Sequence, residues 1–418
     1  MNPSKEVANA RPLVVLGAGF SRAVSDAMPL MSELRSEILD GLGLDAATLA
    51  PFSEDLEQWL SSLAVDQPWQ DEATNLENRA LFLRASEAIE RVIRDRETVA
   101  LGVRPPAWLL QLVAHWAASN TTVVTFNYDQ LLERALIHLG IAHNVVDLYR
   151  GPMALRGIPA GHSFGFPAPA GPVPAILKLH GSTNWGYNPT VRDAPIVVTD
   201  DSAHWAPTDA DQDILPRNVG LYDDLLPMIV PPMSSKSDYY SGAILRSQWR
   251  RASIELQKAT SVTIIGYSFP KTDYTSRLFI SQMPTTTPVT VVDHCSDMDS
   301  IIRGLLPGRP FTPMYAGPGA VERYVGENTG SMVQADIHYQ GDGNVATISV
   351  GGKTMTESAP GATHEAHAFL QRELSACIGI DDWMNRGSFY RVAGMCHWVG
   401  AQHLVYTFPE QVGVYLSE

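Results

Sequence analysis

Leu13-Val14-Val15-Leu16-Gly17-Ala18-Gly19-Phe20-Ser21 is the stretch on which the reading of the fold turns. Its four leading apolar residues form the unbroken run expected of a strand buried on both faces in a parallel sheet. The glycines that follow allow a tight turn and let the backbone approach a ligand with no Cβ in the way. Ser21 and the residues after it are placed to open a helix whose free N–H groups and positive dipole end suit a phosphate. Strand, Gly-Ala-Gly turn and helix start predict a nucleotide-binding α/β domain, although the third glycine of the dinucleotide fingerprint is missing. Taken alone, the stretch is equally a tight βα turn with no ligand.

Working outward, the short β-branched pattern recurs at Thr121 to Phe126, Ala175 to Leu179, Ser261 to Gly266 and Pro288 to Asp293. Between the opening stretch and the first of these runs, Met31 to Leu42, Thr48 to Val65, Asn75 to Val99 and Trp108 to Ala118 carry helical spacing, which predicts an inserted helical subdomain over about residues 30–120. Further helices are expected from Ala243 to Ala259 and from Tyr274 to Met283. Strands alternating with helices over residues 1–310 predict an α/β fold, a Rossmann-like doubly wound parallel sheet. Gly151 to Pro174 and residues 186–225 show no periodicity and read as loop, and Pro307 to Ala320 reads as a linker. Beyond it, a hairpin (Asp336 to Gln340 with Val345 to Val350), a helix (Thr363 to Ala376) and a Tyr- and Val-rich end predict a small α+β appendage over 311–418. That block carries no chemical motif and suits oligomerisation or partner docking.

The chain has 418 residues, 45% hydrophobic and 18% charged, the balance of an ordinary globular protein. A formal net charge of -15, with no run of Lys and Arg, disfavours direct nucleic-acid binding. Its three cysteines, Cys295, Cys377 and Cys396, form no Cys-x-x-Cys pair, so neither a zinc module nor a disulfide framework is expected, and no metal. Cys396-His397 lacks partners at ligand spacing. No apolar run reaches membrane-spanning length and the first eleven residues are polar, so no membrane association and a cytoplasmic location are expected.

Polar residues that no core requires stand at the ends of the strands. They are Gly17 to Ser21, Thr125-Phe126-Asn127-Tyr128-Asp129, Lys178-Leu179-His180-Gly181-Ser182, Gly266-Tyr267-Ser268-Phe269, and Asp293. In a doubly wound sheet such residues converge, because ligands sit at the carboxyl ends of the strands. In this order the motifs resemble the sirtuin family, and more closely its bacterial branch of Sir2-type, NAD-cleaving antiphage-defence enzymes. His180-Gly181-Ser182-Thr183-Asn184-Trp185, and Ile265 to Pro270 followed by Asp273, look like that branch. The resemblance covers residues 12–305 and stops short of the C-terminal block.

The resemblance implies NAD+ as substrate, with Gly17, Ala18, Gly19, Phe20 and Ser21 along its pyrophosphate and neighbouring ribose. Asn127 and Asp129 would be catalytic and hold the nicotinamide-side ribose and water, His180 would be the catalytic base, Thr125 would belong to the NAD+-binding residues, and Gly266, Ser268 and Asp293 would hold the adenosine half. Nicotinamide is a good cationic leaving group, so such a site need only orient the ribose, shield an oxocarbenium-like cation and supply a nucleophile. A histidine near its ordinary pKa can take the proton of an attacking water. The residue types also allow plainer roles: Asn127 as the cap of a helix beginning at Tyr128, and Asp129 as a first-turn carboxylate. The Cys-x-x-Cys pairs of sirtuin deacetylases are missing, and Arg22-Ala23-Val24-Ser25 replaces their Gly-Ile-Pro-x-Phe-Arg loop, which argues against acyl-lysine removal. The expected activity is NAD+ glycohydrolysis gated by homo-oligomerisation or by a partner such as a HerA-like translocase ATPase. The competing expectations are a non-catalytic sensor of NAD or an ADP-ribose nucleotide and, behind it, a zinc-free deacylase.

Overall fold

The structure, a computed structural model, describes residues 11–139, 141, 142, 145, 148, 149, 153–155, 173–188, 196–198, 205, 225–234, 236–240, 242–340, 345–350, 353–358, 395–399, 403–407 and 411–416, and from residue 331 onward the account is of the backbone. Its first ten strands are β1 (Leu13–Leu16), β2 (Thr122–Thr125), β3 (Met153–Leu155), β4 (Ala175–Lys178), β5 (Gly181–Tyr187), β6 (Ile196–Val198), β7 (Leu226–Ile229), β8 (Val262–Ile265), β9 (Val289–Asp293) and β10 (Tyr315–Ala316). Six of them form one sheet in the order β10-β9-β8-β1-β2-β4, all neighbours parallel. Counted along the chain, this is the 3-2-1-4-5-6 order of a doubly wound fold, with the reversal between β1 and β8.

Every residue of β1, β2, β4 and β8 is buried, which explains why apolar residues occupy adjacent positions instead of alternating; Thr122, Thr125, Lys178 and Thr263 are the polar residues buried with them. Leu13 and Val15 face one core with Val124, Leu177 and Ile264, and Val14 and Leu16 face the other with Val123, Ile176 and Ile265. The second core is built by the helical insertion. Its longest helix, Glu72–Leu101, starts at Asp71, whose side chain accepts the Thr74 N–H at 2.8 Å.

Three expectations change. The Thr48 to Val65 helix is two pieces, a 3-10 turn Ala46–Phe52 and a helix Leu56–Leu63. Pro51 lacks a donor, Ser53 and Glu54 turn left-handed, and Asp55 caps the next helix by accepting the Glu57 N–H at 2.8 Å. The helix after the opening turn is Ala18–Val24 with Gly17 as its N-cap, so it starts before Ser21. The stretch taken as a linker holds β10, which pairs with β9, and the helix Ala320–Asn328 buries Val321 and Val325 in the core. The central sheet therefore runs past the boundary drawn at residue 310.

A four-stranded sheet, β3-β6-β5-β7, was not legible in the aperiodic stretches. Strand β5 turns away from the end of β4 at Gly181, where φ is +82° and a Cβ would lie 2.0 Å from the Met228 carbonyl oxygen. Only glycine fits that corner, and the corner places His180. Six antiparallel strands complete the description: β11 (Ser331–Gln340), β12 (Val345–Val350), β13 (Lys353–Ser358), β14 (Met395–Val399), β15 (His403–Thr407) and β16 (Gln411–Leu416), in the order β13-β12-β11-β16-β15-β14. The expected hairpin is β11–β12, and the expected Thr363 to Ala376 helix lies outside the described residues. Among the described residues, no helix is long and apolar enough to cross a membrane.

Candidate functional site

A cavity of about 1320 Å³ opens over the carboxyl ends of the parallel strands, at the reversal between β1 and β8. The end of β1 lines it with Ala18, Gly19 and Ser21, that of β2 with Asn127 and Asp129, and that of β4 with His180. The end of β8 adds Gly266 and Ser268, and that of β9 adds Asp293. Gly17, Phe20 and Thr125 stand behind this wall. Phe20 is 1% exposed, packed against Trp108 and Trp116 with ring centroids 6.1 and 6.2 Å away. Thr125 Oγ1 accepts the Asn127 N–H at 3.1 Å.

The glycines act first on one another. Gly19 N–H donates to the Gly266 carbonyl at 2.9 Å, and a Cβ on Gly17 or Gly19 would lie 2.6 or 2.8 Å from atoms of Gly266. Gly17 N–H donates to the Ile265 carbonyl at 3.1 Å, so two amides of the expected phosphate cradle serve the β1–β8 contact, and Phe20 N–H is committed within the turn to the Gly17 carbonyl at 2.9 Å.

Asn127 is fixed by chemistry that leaves one atom over. Its Nδ2 donates to the Gly17 carbonyl and to Ser21 Oγ, each at 2.9 Å, and Ser21 Oγ donates to Asp129 Oδ2 at 2.6 Å. A carbonyl can only accept, so the amide orientation is determined and Asn127 Oδ1 remains as the acceptor. The helix that follows begins at Leu131, and it is Asp129 Oδ1 that accepts the Leu131 N–H, at 3.2 Å. Asn127 is therefore no helix cap, whereas Asp129 does serve the first turn.

Behind Asp129 lies a buried group of three carboxyls and one ammonium. Lys178 Nζ, with no exposure, donates to the Asp129 carbonyl at 2.5 Å and to Glu133 Oε1 at 3.0 Å. Glu97 accepts the Gln130 N–H and meets Thr183 Oγ1, each at 3.1 Å. Burial, then the charge of Asp129, pushes Glu97 up to about 8, and burial also raises Asp129. One ammonium cannot offset three anions, and Glu97 is the carboxyl that keeps its proton at neutral pH. Its raised folded-state pKa contributes stability that is full below about 4.5 and is lost as pH rises through about 8. Glu97→Gln, which copies the protonated form, is expected to melt above the parent at pH 8.5, by a few kcal/mol of stability at most, and to match it near pH 4.5. Thermal unfolding of both proteins across this range checks it; an advantage that does not grow with pH contradicts it.

His180 sits at the corner after Lys178, 6% exposed, with Phe126 edge-on at 5.0 Å and Tyr240 stacked at 6.5 Å. Its Nε2 is buried with no hydrogen-bond partner, 3.6 Å from Asp273 Oδ2. Burial, then the Lys236 ammonium, pushes the imidazole down to about 3, while Asp273 pulls the other way. The expectation of a histidine near its ordinary pKa is thus corrected: the ring is neutral across the physiological range. Lys236, Asp273 and Glu57 also line the cavity, and sequence reading did not pick them as site residues. Asp273 carried only its place in the resemblance, after Ile265 to Pro270, and in the structure it caps Tyr274–Ser281; Lys236 and Glu57 carried no signal.

Among the described residues, no group of three or more His, Cys, Asp or Glu could hold a metal ion. No family model matches the chain, and no curated protein matches it. Among solved structures, the chain is similar to Sir2 in complex with the inhibitor EX-527, 2'-O-acetyl-ADP-ribose and a deacetylated p53 peptide, at 13% identity and a TM-score of 0.35 over 78% of this chain and 96% of that chain. It is similar to Sir2Tm bound to a propionylated peptide, at 13% identity and a TM-score of 0.34 over 78% and 96% of the two chains. The same holds for a structure on sirtuin substrate affinity, at 14% identity and a TM-score of 0.34 over 78% and 99%. Overlaps this low carry no argument about activity. The class rests on the sheet itself: a doubly wound α/β protein whose candidate ligand site lies at the topological switch point.

Proposed function

We propose that this chain is an NAD+ glycohydrolase that takes NAD+ and water to nicotinamide, ADP-ribose and a proton. The observation that carries the reading is the meeting of Ser21, Asn127 and Asp129 with His180 at one end of the switch-point cavity, with His180 Nε2 buried and unpartnered. An unpartnered buried polar atom beside a cavity asks for a ligand hydroxyl or water. Asn127 Oδ1 accepts from a ribose hydroxyl or from the attacking water, and Ser21 and Asp129 hold the amide in place. As the bond to nicotinamide breaks, water attacks the ribose carbon and gives its proton to His180. Ala18, Gly19, Gly266, Ser268 and Asp293 offer the pyrophosphate and adenosine half its wall.

An imidazole pushed down to about 3 is a weak acceptor for a water proton, so this reading requires that activation raise its basicity. An enzyme that depletes NAD+ harms its own cell unless it rests, which fits an effector of antiphage defence gated by self-association or by a partner such as a HerA-like translocase. The six-stranded C-terminal sheet is the candidate contact: among the described residues, its edge strands β13 and β14 pair on one side only, and open edges invite pairing with another chain. The same low basicity favours the second reading, a sensor that binds the nucleotide without cutting it. Incubating the chain with NAD+, alone and with the protein encoded beside it, separates the two. Nicotinamide release supports the hydrolase, tight binding of unconsumed NAD+ supports the sensor, and the absence of release in both states defeats the hydrolase. An acyl-lysine peptide in a parallel arm covers deacylation.

A further inference from the structure

Around His180, charge is distributed in a way the hydrolytic reading does not use. Asp273, at the cap of helix Tyr274–Ser281, has Oδ1 3.3 Å from the Ser276 N–H. Its Oδ2 accepts the Tyr267 hydroxyl at 2.8 Å and lies 3.2 Å from Lys236 Nζ and 3.6 Å from His180 Nε2. Lys236 and Asp273 are 3% and 4% exposed at their side chains. Lys236 also lies 3.9 Å from Glu57 Oε1, whose other oxygen accepts the Thr272 hydroxyl. The remaining titratable groups facing the imidazole are hydroxyls: Tyr128 after β2, Tyr240 on helix Ser237–Tyr240, and Tyr267 after β8. One ammonium and one histidine therefore contend for a single carboxylate oxygen in a site nearly closed to water.

We propose that Asp273 and Lys236 are the positioning pair of His180: Asp273 Oδ2 is the acceptor that draws in the imidazole N–H when the ring takes a proton, and Lys236 holds that oxygen at rest. The physics is a competition. An ammonium at 3.2 Å neutralises the carboxylate as His180 sees it and repels a second positive charge, and both effects are large where water cannot screen them. Lys236 thus suppresses His180, and moving its charge away from Asp273 frees the base.

The inference deepens the assignment of His180 as proton acceptor, yet its test needs no turnover. In the full chain, the imidazole signals of His180, assigned by their loss in His180→Gln, are followed by NMR against pH. The titration is followed down to pH 2.5, and the parent's His180 is expected to titrate near the foot of that range, at about 3. Lys236→Met, which keeps the length and removes the charge, is expected to raise the titration by at least about one unit; Lys236→Gln serves the same end should the Met variant not fold. Lys236→Arg restores the charge and the suppressed titration, and adding Asp273→Asn to Lys236→Met removes the rise. A His180 titration in the charge-removing variants that coincides with the parent's overturns the proposal, as does a rise that persists without Asp273. A failed NAD+ assay would leave this titration standing, and a flat titration would leave that assay untouched.

Discussion

His180→Ala is expected to lower nicotinamide release by roughly 10²- to 10⁴-fold, the range for a positioned acid-base group, with the fold intact. The imidazole makes no hydrogen bond through Nε2 that the fold depends on, so its loss falls on chemistry more than on structure. Asn127→Ala is expected to lose a comparable factor for another reason. It removes the amide that ties the Gly17 carbonyl to Ser21 Oγ, and so releases both Ser21 and Asp129 from the wall of the cavity. Because the two residues serve one step, the double variant should lose far less than the product of the two factors. Product assays on NAD+ with the activated protein check this, alongside NAD+ binding by calorimetry. Binding retained with release gone is the expected pattern; release unchanged in His180→Ala would refute the assignment of the base.

Gly266→Ala is expected to cost more than about 3 kcal/mol of stability, and with it the nucleotide wall. Gly266 holds φ at +62°, and a Cβ there would lie 2.3 Å from the Phe20 amide nitrogen and 2.5 Å from the Gly19 carbonyl carbon. These are backbone atoms of the helix that caps β1, and they can retreat only by parting the β1 and β8 turns. Gly41→Ala is the internal contrast. On helix Met31–Leu42 its Cβ would meet nothing within 4 Å, so it should stabilise by about 0.5–1 kcal/mol through helix propensity and a less flexible unfolded chain. Urea unfolding of the two variants should move the midpoint in opposite directions. Equal midpoints would show that the glycine contact is not the constraint it looks to be.

The sheet was legible because a strand buried on both faces is built mainly from adjacent apolar and β-branched residues, a property local to each short run. Leu13 to Leu16, Val123-Val124 and Ile264-Ile265 announce themselves without knowledge of their neighbours. The polar ends after those runs were legible for the same reason, since a core has no use for Asn127 or His180. Edge and outlying strands were not. Tyr315–Ala316 is two residues long, and β5 to β7 sit among Gly and Pro that break any period, so only pairing with a distant strand makes them strands.

The amino-acid order alone thus determined the α/β class, the succession of strand and turn, and the side chains set at strand ends. Tertiary structure decided what those side chains are. It sent Phe20 into the core, spent the glycine amides of the opening turn on Ile265 and Gly266, and gave Asn127 a single free acceptor. It also closed His180 into a site with Asp273 and Lys236, which lie 93 and 56 residues further along the chain. The physical reason is one of range. Hydrophobic pattern and backbone conformation act over a few residues, whereas a pKa depends on whichever charges folding brings within a few ångströms once water is excluded.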